Sequence, residues 1–404
     1  MNHTNLTTIR NTAALVATTL LVTACGGGGG GGGGGSAAAV TSNASGTNFD
    51  IAANLVDNIV IPGYQAFSAS TNDLTTAINT YCLDVTDTNN RDAAQAQWRE
   101  VSNLWQATQS FAVGPVSVSI NDLITRIYSP SAHTSGQDVF ITDQVALVNN
   151  PNYSIPSDAE NLARGLDALE FLLFPPNPVP SNQADRCTYA ALVAAEITSN
   201  GQAAVNAWTA NNNAGRNDFL RAQDSAGVTQ IQAFFDLIVD NIDRSVKDTK
   251  LGNPTNLRVA SPCTTNLCPE LVENNIAKHS YASIKANLES AKAVFTGNNE
   301  EGFDDIFAEA NRQGDSNTFI TNLDATIASI DAQSATNLFD QLTAINNPTG
   351  AADCATTGNA SSTNTAPEPC AIFREAQVLS DFLRTTFATV VNLDVPGQVA
   401  GDGD

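Results

Sequence analysis

The chain has 404 residues, with 41 acidic against 18 basic side chains and a net charge of −23. That charge repels phosphate backbones and anionic headgroups, which excludes nucleic acid and an anionic lipid surface as direct partners. After the N-terminal region no second long apolar stretch occurs, so the body does not read as a membrane span.

In chain order, the first element is export machinery. Arg10 precedes a short apolar run, Ala13 to Ala24. The run is shorter than the ~20 residues of a transmembrane helix and has the size of a signal-peptide core. It ends Leu21-Val22-Thr23-Ala24-Cys25. This resembles the bacterial lipoprotein signal: an aliphatic residue, two small residues, then the cysteine that receives the lipid. Cys25 is followed by ten glycines, residues 26–35, and a small polar stretch to Thr47. Such a segment cannot bury a core and acts as a tether, spanning on the order of 25 Å. Residue 26 is Gly rather than Asp, which by resemblance to Gram-negative lipoproteins favours the outer membrane, with the body facing the periplasm.

The body reads as helices joined by polar loops. Asn48 to Ser70 is apolar at Ile51, Leu55, Ile59 and Phe67, with a break or kink at Pro62-Gly63. Arg91 to Phe111 carries Ala94, Trp98, Val101, Leu104 and Trp105 on one side and ends at Gly114-Pro115. Residues 129–156 read as a loop containing His133. A helix over Ser157 to Phe174 follows, then a proline-rich break at 175–180. Further helices are predicted over Cys187 to Ala210, Asn217 to Lys250, Pro269 to Phe295, Asn317 to Ile345 and Ala371 to Asn392, with loops at 251–268 and 346–370. Asp236, Asp240, Asp243 and Lys247 share one face, the pattern of a solvated surface. The organisation read here is a signal peptide (1–24), a lipidated Cys and linker (25–47), a first helical bundle (48–250) and a second (251–404). The fold class is all-α, two packed antiparallel four-helix bundles.

Six cysteines remain after Cys25. An even count in an exported chain suggests three disulfides. Cys263–Cys268 and Cys354–Cys370 would each staple a loop, leaving Cys82 with Cys187, although six cysteines allow fifteen pairings. Zinc is a weak alternative, because no Cys-x-x-Cys occurs and only His133 and His279 follow Cys25.

The segment Ser157 to Phe174 carries the candidate chemistry. Ser157-Asp158-Ala159-Glu160 is a capping-box pattern and Pro175-Pro176 ends the helix. Leu162, Leu166, Leu169 and Leu173 form a core stripe; Ala163, Asp167, Glu170 and Phe174 form the next one. Asp167 and Glu170 are three apart, so their carboxylates project from one face about 5–6 Å apart. A hard divalent cation fits two such carboxylates plus groups from a second element. A buried pair neutralised by Arg164 or another arginine fits them equally. Gly165, read as helix interior, costs roughly 1 kcal/mol against Ala and points to close backbone approach.

Gly165-Leu166-Asp167-Ala168-Leu169-Glu170-Phe171-Leu172-Leu173-Phe174 resembles the signature of the imelysin-like family, Gly-x-His-x-x-Glu followed by an aromatic, two leucines and Phe. Val60-Ile61-Pro62-Gly63-Tyr64, Trp98-Arg99 through Gly114-Pro115, Arg186-Cys187 and Lys250-Leu251-Gly252 are similar to other family segments in the same order. So are Glu273, Ser280, Asn287 and Leu288. The resemblance implies two helical bundles with the signature in a cleft between them, lined by Gly165, Glu273 and Ser280. It implies periplasmic or membrane-attached members, some classed as insulin-cleaving metallopeptidases and others tied to iron uptake. It also supports the Cys82–Cys187 pair. The sequence departs where the signature has His: Asp167 stands there, and Asn274 and Ala277 stand where the family usually has Ser. The expectation is an anchored, non-catalytic binding protein with a divalent or iron cation at Asp167 and Glu170. The alternatives are a metallopeptidase with an altered motif, and an interaction lipoprotein with a protein partner and a vestigial site.

Overall fold

The computed structural model describes residues 47–116, 127, 135–155, 163–174, 181–221, 228–356 and 367–397. Every regular element among them is helical. Cys25, the glycine tract, His133, the capping box Ser157–Glu160, Leu162 and Pro175-Pro176 lie outside the described residues.

The N-terminal helix is longer than its sequence suggests and has no break at Pro62. Helix α1 (Thr47–Leu55) passes through a π-turn (Val56–Val60) into α2 (Ile61–Leu83). Proline has no N–H to donate, and it sits here in the first turn of α2, directly after the wider π-turn. Gly63 is needed where it stands, since a Cβ there would lie 2.5 Å from the ring of Phe111. The apolar stripe continues past Ser70 through Leu74, Ile78 and Tyr81, all buried. Helix α3 (Thr88–Thr108) is capped by Asp87, whose carboxylate accepts from the backbone N–H of Asn89 (2.8 Å) and Asn90 (3.3 Å).

Helix α4 (Ser135–Leu147) lies in a stretch expected to be loop; Ile141 and Val145 are buried, and the helix packs on α6. Tertiary burial overrides the polar composition there. Helix α5 (Gly165–Leu173) carries the signature. Helix α6 (Gln183–Leu220) is interrupted at Ala210–Asn213, where three consecutive asparagines take left-handed φ.

Helix α7 (Val228–Val239) runs into a long π-helical segment (Asp240–Gly252) and a short α8 (Asn253–Thr255). Asp243 and Lys247 are fully buried in this segment and paired at 2.7 Å, which corrects the solvated face expected of them. Packed against another helix, that stripe has to satisfy its charges internally. A single-turn 3₁₀ helix (Pro269–Leu271) precedes α9 (Ser280–Phe295), so the continuous helix expected from Pro269 is broken by a turn over 273–278. Helices α10 (Phe303–Glu309), α11 (Gln313–Asp331) and α12 (Leu338–Ile345) follow. The last two were expected as one helix; Asn337 separates them by capping α12 through the Asp340 N–H. Helix α13 (Pro348–Thr356) forms in another expected loop, before α14 (Glu368–Phe382), a π-turn (Leu383–Phe387) and α15 (Ala388–Val391).

Helix α2 packs on α3 and α6, and α5 fills the space against both α3 and α6. In the second group, the π-segment packs on α14 and α9, and α11 packs on the same two helices. Phe295, Phe319, Phe382 and Phe387 lie at the centre of this group, with Phe319 stacked on Phe382 at 4.7 Å. The groups meet where α9 lies on α3 and α1 lies on α7. All three disulfides pair as the sequence suggested: Cys82–Cys187, Cys263–Cys268 and Cys354–Cys370. Cys82–Cys187 ties the end of α2 to the start of α6.

Candidate functional site

The signature helix begins at Gly165, not at Ser157, and Gly165 takes φ +68. Its role is therefore to turn the chain into the helix in a left-handed conformation, which corrects the reading of a helix-interior glycine. Neighbouring side chains then hold the nine-residue helix and its flanks by their carbonyls. Trp98 Nε1–H donates to Leu166 O (2.9 Å), Gln95 Nε2–H to Leu173 O (2.6 Å) and Tyr189 O–H to Ala163 O (2.7 Å). Arg186 covers the Phe171 ring at 4.5 Å and donates to its carbonyl. Arg164 pairs with Glu196 on α6 at 2.9 Å.

Both signature carboxylates face inward. Asp167 is 2 % exposed and Glu170 is 0 % exposed. Glu170 Oε1 accepts the backbone N–H of Ala277 at 2.7 Å, across 107 residues of sequence. This bond joins the signature helix to the turn ahead of α9. In that turn Asn274 and Lys278 take φ +51 and +57. Asn274 Nδ2–H donates to Ser283 Oγ (2.8 Å), and Ser280 O–H donates to the Glu273 carbonyl. His279 packs edge-on to Trp98 at 5.9 Å, and its Nε2–H donates to Asn103 Oδ1 (2.8 Å). Burial, and then the nearby Arg99 charge, push the His279 pKa down to about 4, so the ring is neutral at pH 7.

Glu273 points toward Lys250, away from solvent. Lys250 Nζ lies 2.6 Å from Gln106 Oε1, 2.6 Å from Asn287 Oδ1 and 3.1 Å from Glu273 Oε2. Gln106 Nε2–H donates to Glu273 Oε1 (3.3 Å), and Asn287 Nδ2–H donates to the Gln106 carbonyl (2.8 Å). Asn241 extends the network to Ser110 Oγ and the Asn287 carbonyl. Burial pushes the Lys250 ammonium well below its usual range and Glu273 up to about 8. A proton moved across the 3.1 Å contact leaves the pair without net charge in either form, and burial favours amine and acid.

The network lies where α3 meets α9. Sequence reading found Glu273, Ser280 and Asn287 but missed Gln106 and Asn241. The available signal was polar residues within an apolar face: Ser102 and Gln106 are buried beside Val101 and Trp105 on α3. A surface groove of about 350 Å³ runs along the same junction, lined by Ile59, Pro62, Leu104, Phe111, Ala286 and Ala293 among others.

Three of the candidate ligands are already engaged with protein groups. Among the described residues no group of three or more His, Cys, Asp or Glu is placed to hold one. Glu170 already accepts a backbone N–H, Glu273 faces a lysine, and His279 donates to Asn103. A zinc peptidase site needs an open position for water beside its ligands.

Comparisons agree with this architecture. The Imelysin family model matches residues 60–365. Iron-regulated protein A of Synechococcus elongatus is 25% identical over 253 residues, 61% of this chain and 64% of that protein, so under two thirds of that relative is spanned. An imelysin-like protein from Psychrobacter arcticum superposes with TM-score 0.60 at 16% identity, covering 87% of this chain and 97% of the other. A protein from Parabacteroides distasonis, described as an iron-regulated protein A precursor, gives TM-score 0.53 at 17% identity over 86% and 97%. The last two comparisons concern the fold alone. With its family model matched across most of the body, this chain belongs to the imelysin family.

Proposed function

We propose that this chain is an exported lipoprotein, tethered through Cys25 to the outer membrane, that acts as a non-catalytic binding protein. The observation that carries the non-catalytic reading is the position of Glu170. It is 0 % exposed and accepts the Ala277 N–H at 2.7 Å, so it works as a joint between the two halves. Asp167, standing where the family signature has His, is 2 % exposed and adds no imidazole. Neither group meets solvent, where a peptide substrate and an activated water would have to sit. The test is incubation of the purified protein with insulin and with iron, zinc, copper, calcium or magnesium. Intact insulin chains after prolonged incubation are expected; cleavage that disappears in Glu170→Gln would overturn the reading. The tether is tested by Cys25→Ser, which should release the protein from membranes.

A second reading keeps a cation. Asp167 and Glu170 share a face of α5, and a relative 25% identical over 253 residues carries the name iron-regulated protein A. On this reading iron or another divalent cation is the ligand, and calorimetric titration shows binding that the Asp167→Ala/Glu170→Ala variant loses. No binding by the wild-type chain leaves a protein partner as the ligand to be sought.

A further inference from the structure

Three side chains meet in one water-excluded place at the junction of α3 and α9. Lys250 is 2 % exposed, Glu273 4 % and Asn287 0 %. The lysine nitrogen lies 2.6 Å from the oxygen of the Asn287 amide and 3.1 Å from Glu273 Oε2. The partners are held in place. Gln106 O accepts from Asn287 Nδ2, and Gln106 Nε2–H donates to Glu273 Oε1. An amine, a carboxamide and a carboxyl group in contact inside a protein are the reactants and the proton carrier of an amide exchange.

We propose that Lys250 and Asn287 become joined by an intramolecular amide bond, with Glu273 carrying the proton. Lys250 Nζ, as the neutral amine, attacks Asn287 Cγ. The Nζ–Cγ bond forms, the Cγ–Nδ2 bond breaks, and Nδ2 leaves as ammonia. Glu273, held as the acid, gives its proton to the departing Nδ2 and takes in its place the proton lost by Nζ, so it ends as it began. One amide replaces another, so no oxidant or reductant is required, and loss of ammonia to solvent draws the step forward. Two features favour it. Fixed contact replaces a bimolecular encounter between amine and amide. Burial moves both titrating groups toward the reactive forms, Lys250 downward and Glu273 up to about 8. The bond would staple the π-segment to α9 across 37 residues and, unlike the three disulfides, would resist reductants.

The test is a peptide map. The full chain, isolated from membranes of the expressing cells, is reduced, alkylated, digested with trypsin and read by tandem mass spectrometry. The expected result is no cleavage after Lys250. A branched peptide should join residues 248–258 to residues 286–292, lighter by one ammonia than the two together. Recovery of the linear peptides, with cleavage after Lys250 and an intact Asn287, overturns the proposal. In Glu273→Ala the branched peptide should be lost; its persistence would remove Glu273 from the step. Should that variant fail to accumulate, Glu273→Gln replaces it, and the wild-type map decides the bond regardless.

Discussion

The signature helix α5 and the turn that precedes α9 are both short, and they touch through the buried Glu170 and Ala277. They are held in different ways. The helix has its own periodic hydrogen bonds, its Leu166 and Leu173 carbonyls also receive Trp98 and Gln95, and the Ala163 carbonyl just ahead of it receives Tyr189. The turn has two non-glycine residues at positive φ, Asn274 and Lys278, a conformation that costs about 1–3 kcal/mol at each and persists only under outside constraint. Glu170 supplies part of that constraint. A local pattern can specify the helix, whereas the turn needs a partner 107 residues away.

Trp98 touches both regions and offers the strongest way to break the comparison. It is fully buried, donates to Leu166 O, and packs edge-on to Phe174 (5.3 Å) and His279 (5.9 Å). Trp98→Ala should cost about 3–5 kcal/mol in denaturant unfolding. Hydrogen exchange should quicken in α5 and in the turn together; quickening in α5 alone would show that the two are held independently. The next effect belongs to the turn. The His279 pKa is depressed to about 4 in the fold against 6.5 for an unperturbed imidazole. The stability it contributes is therefore full above pH 6.5 and is lost as pH falls toward 4, by about 3 kcal/mol. Unfolding measured across that window should show the loss in the wild type and a flatter profile in His279→Gln. Equal slopes in both proteins would contradict a neutral, buried ring.

The same contrast explains what could be read from sequence. The all-helical class, the buried stripes of α2 and α3 and the three disulfides follow from periodicity and cysteine count. The inward direction of Asp167 and Glu170 follows from their apolar neighbours. What was not legible depends on contacts remote in sequence. Helix α4 lies in a polar stretch and is fixed by packing of Ile141 and Val145 toward α6. Asp243 and Lys247 look solvated on a helical wheel and are buried because α14 packs on the π-segment, where Ser380 donates to Asp243. The turn over 273–278 interrupts a sequence that reads as helix, because the Ala277 N–H finds a carboxylate instead of an intrahelical carbonyl. Lys250 stood in a family-like Lys-Leu-Gly segment, yet nothing local announces that it meets Gln106, Glu273 and Asn287.

The joint itself is the third test. Glu170→Ala removes the acceptor of a buried N–H and should cost about 1–3 kcal/mol. Glu170→Gln keeps an oxygen in place and should cost about half as much. Exchange of the Ala277 amide is the specific readout: it should accelerate in the alanine variant and stay slow in the glutamine variant. A slow Ala277 amide in both would mean that other contacts hold the turn.

The smallest effect separates backbone strain from side-chain contacts within the turn. Lys278 at φ +57 makes two outward contacts, an ion pair with Asp340 at 2.5 Å and a cation–π contact with Phe339 at 3.8 Å. Its side chain is 39% exposed, so the ion pair contributes at most about 1 kcal/mol and the ring contact about 0.5–1 kcal/mol. Replacing it by glycine loses both contacts and relieves about 1–2 kcal/mol of left-handed strain. The two terms oppose each other, so Lys278→Gly should stay within about 1 kcal/mol of wild type. Lys278→Ala keeps the strain, loses the same contacts and should be the less stable of the two. If alanine and glycine prove equal, strain is not what the turn resists, and Glu170 would be holding a conformation the chain already prefers.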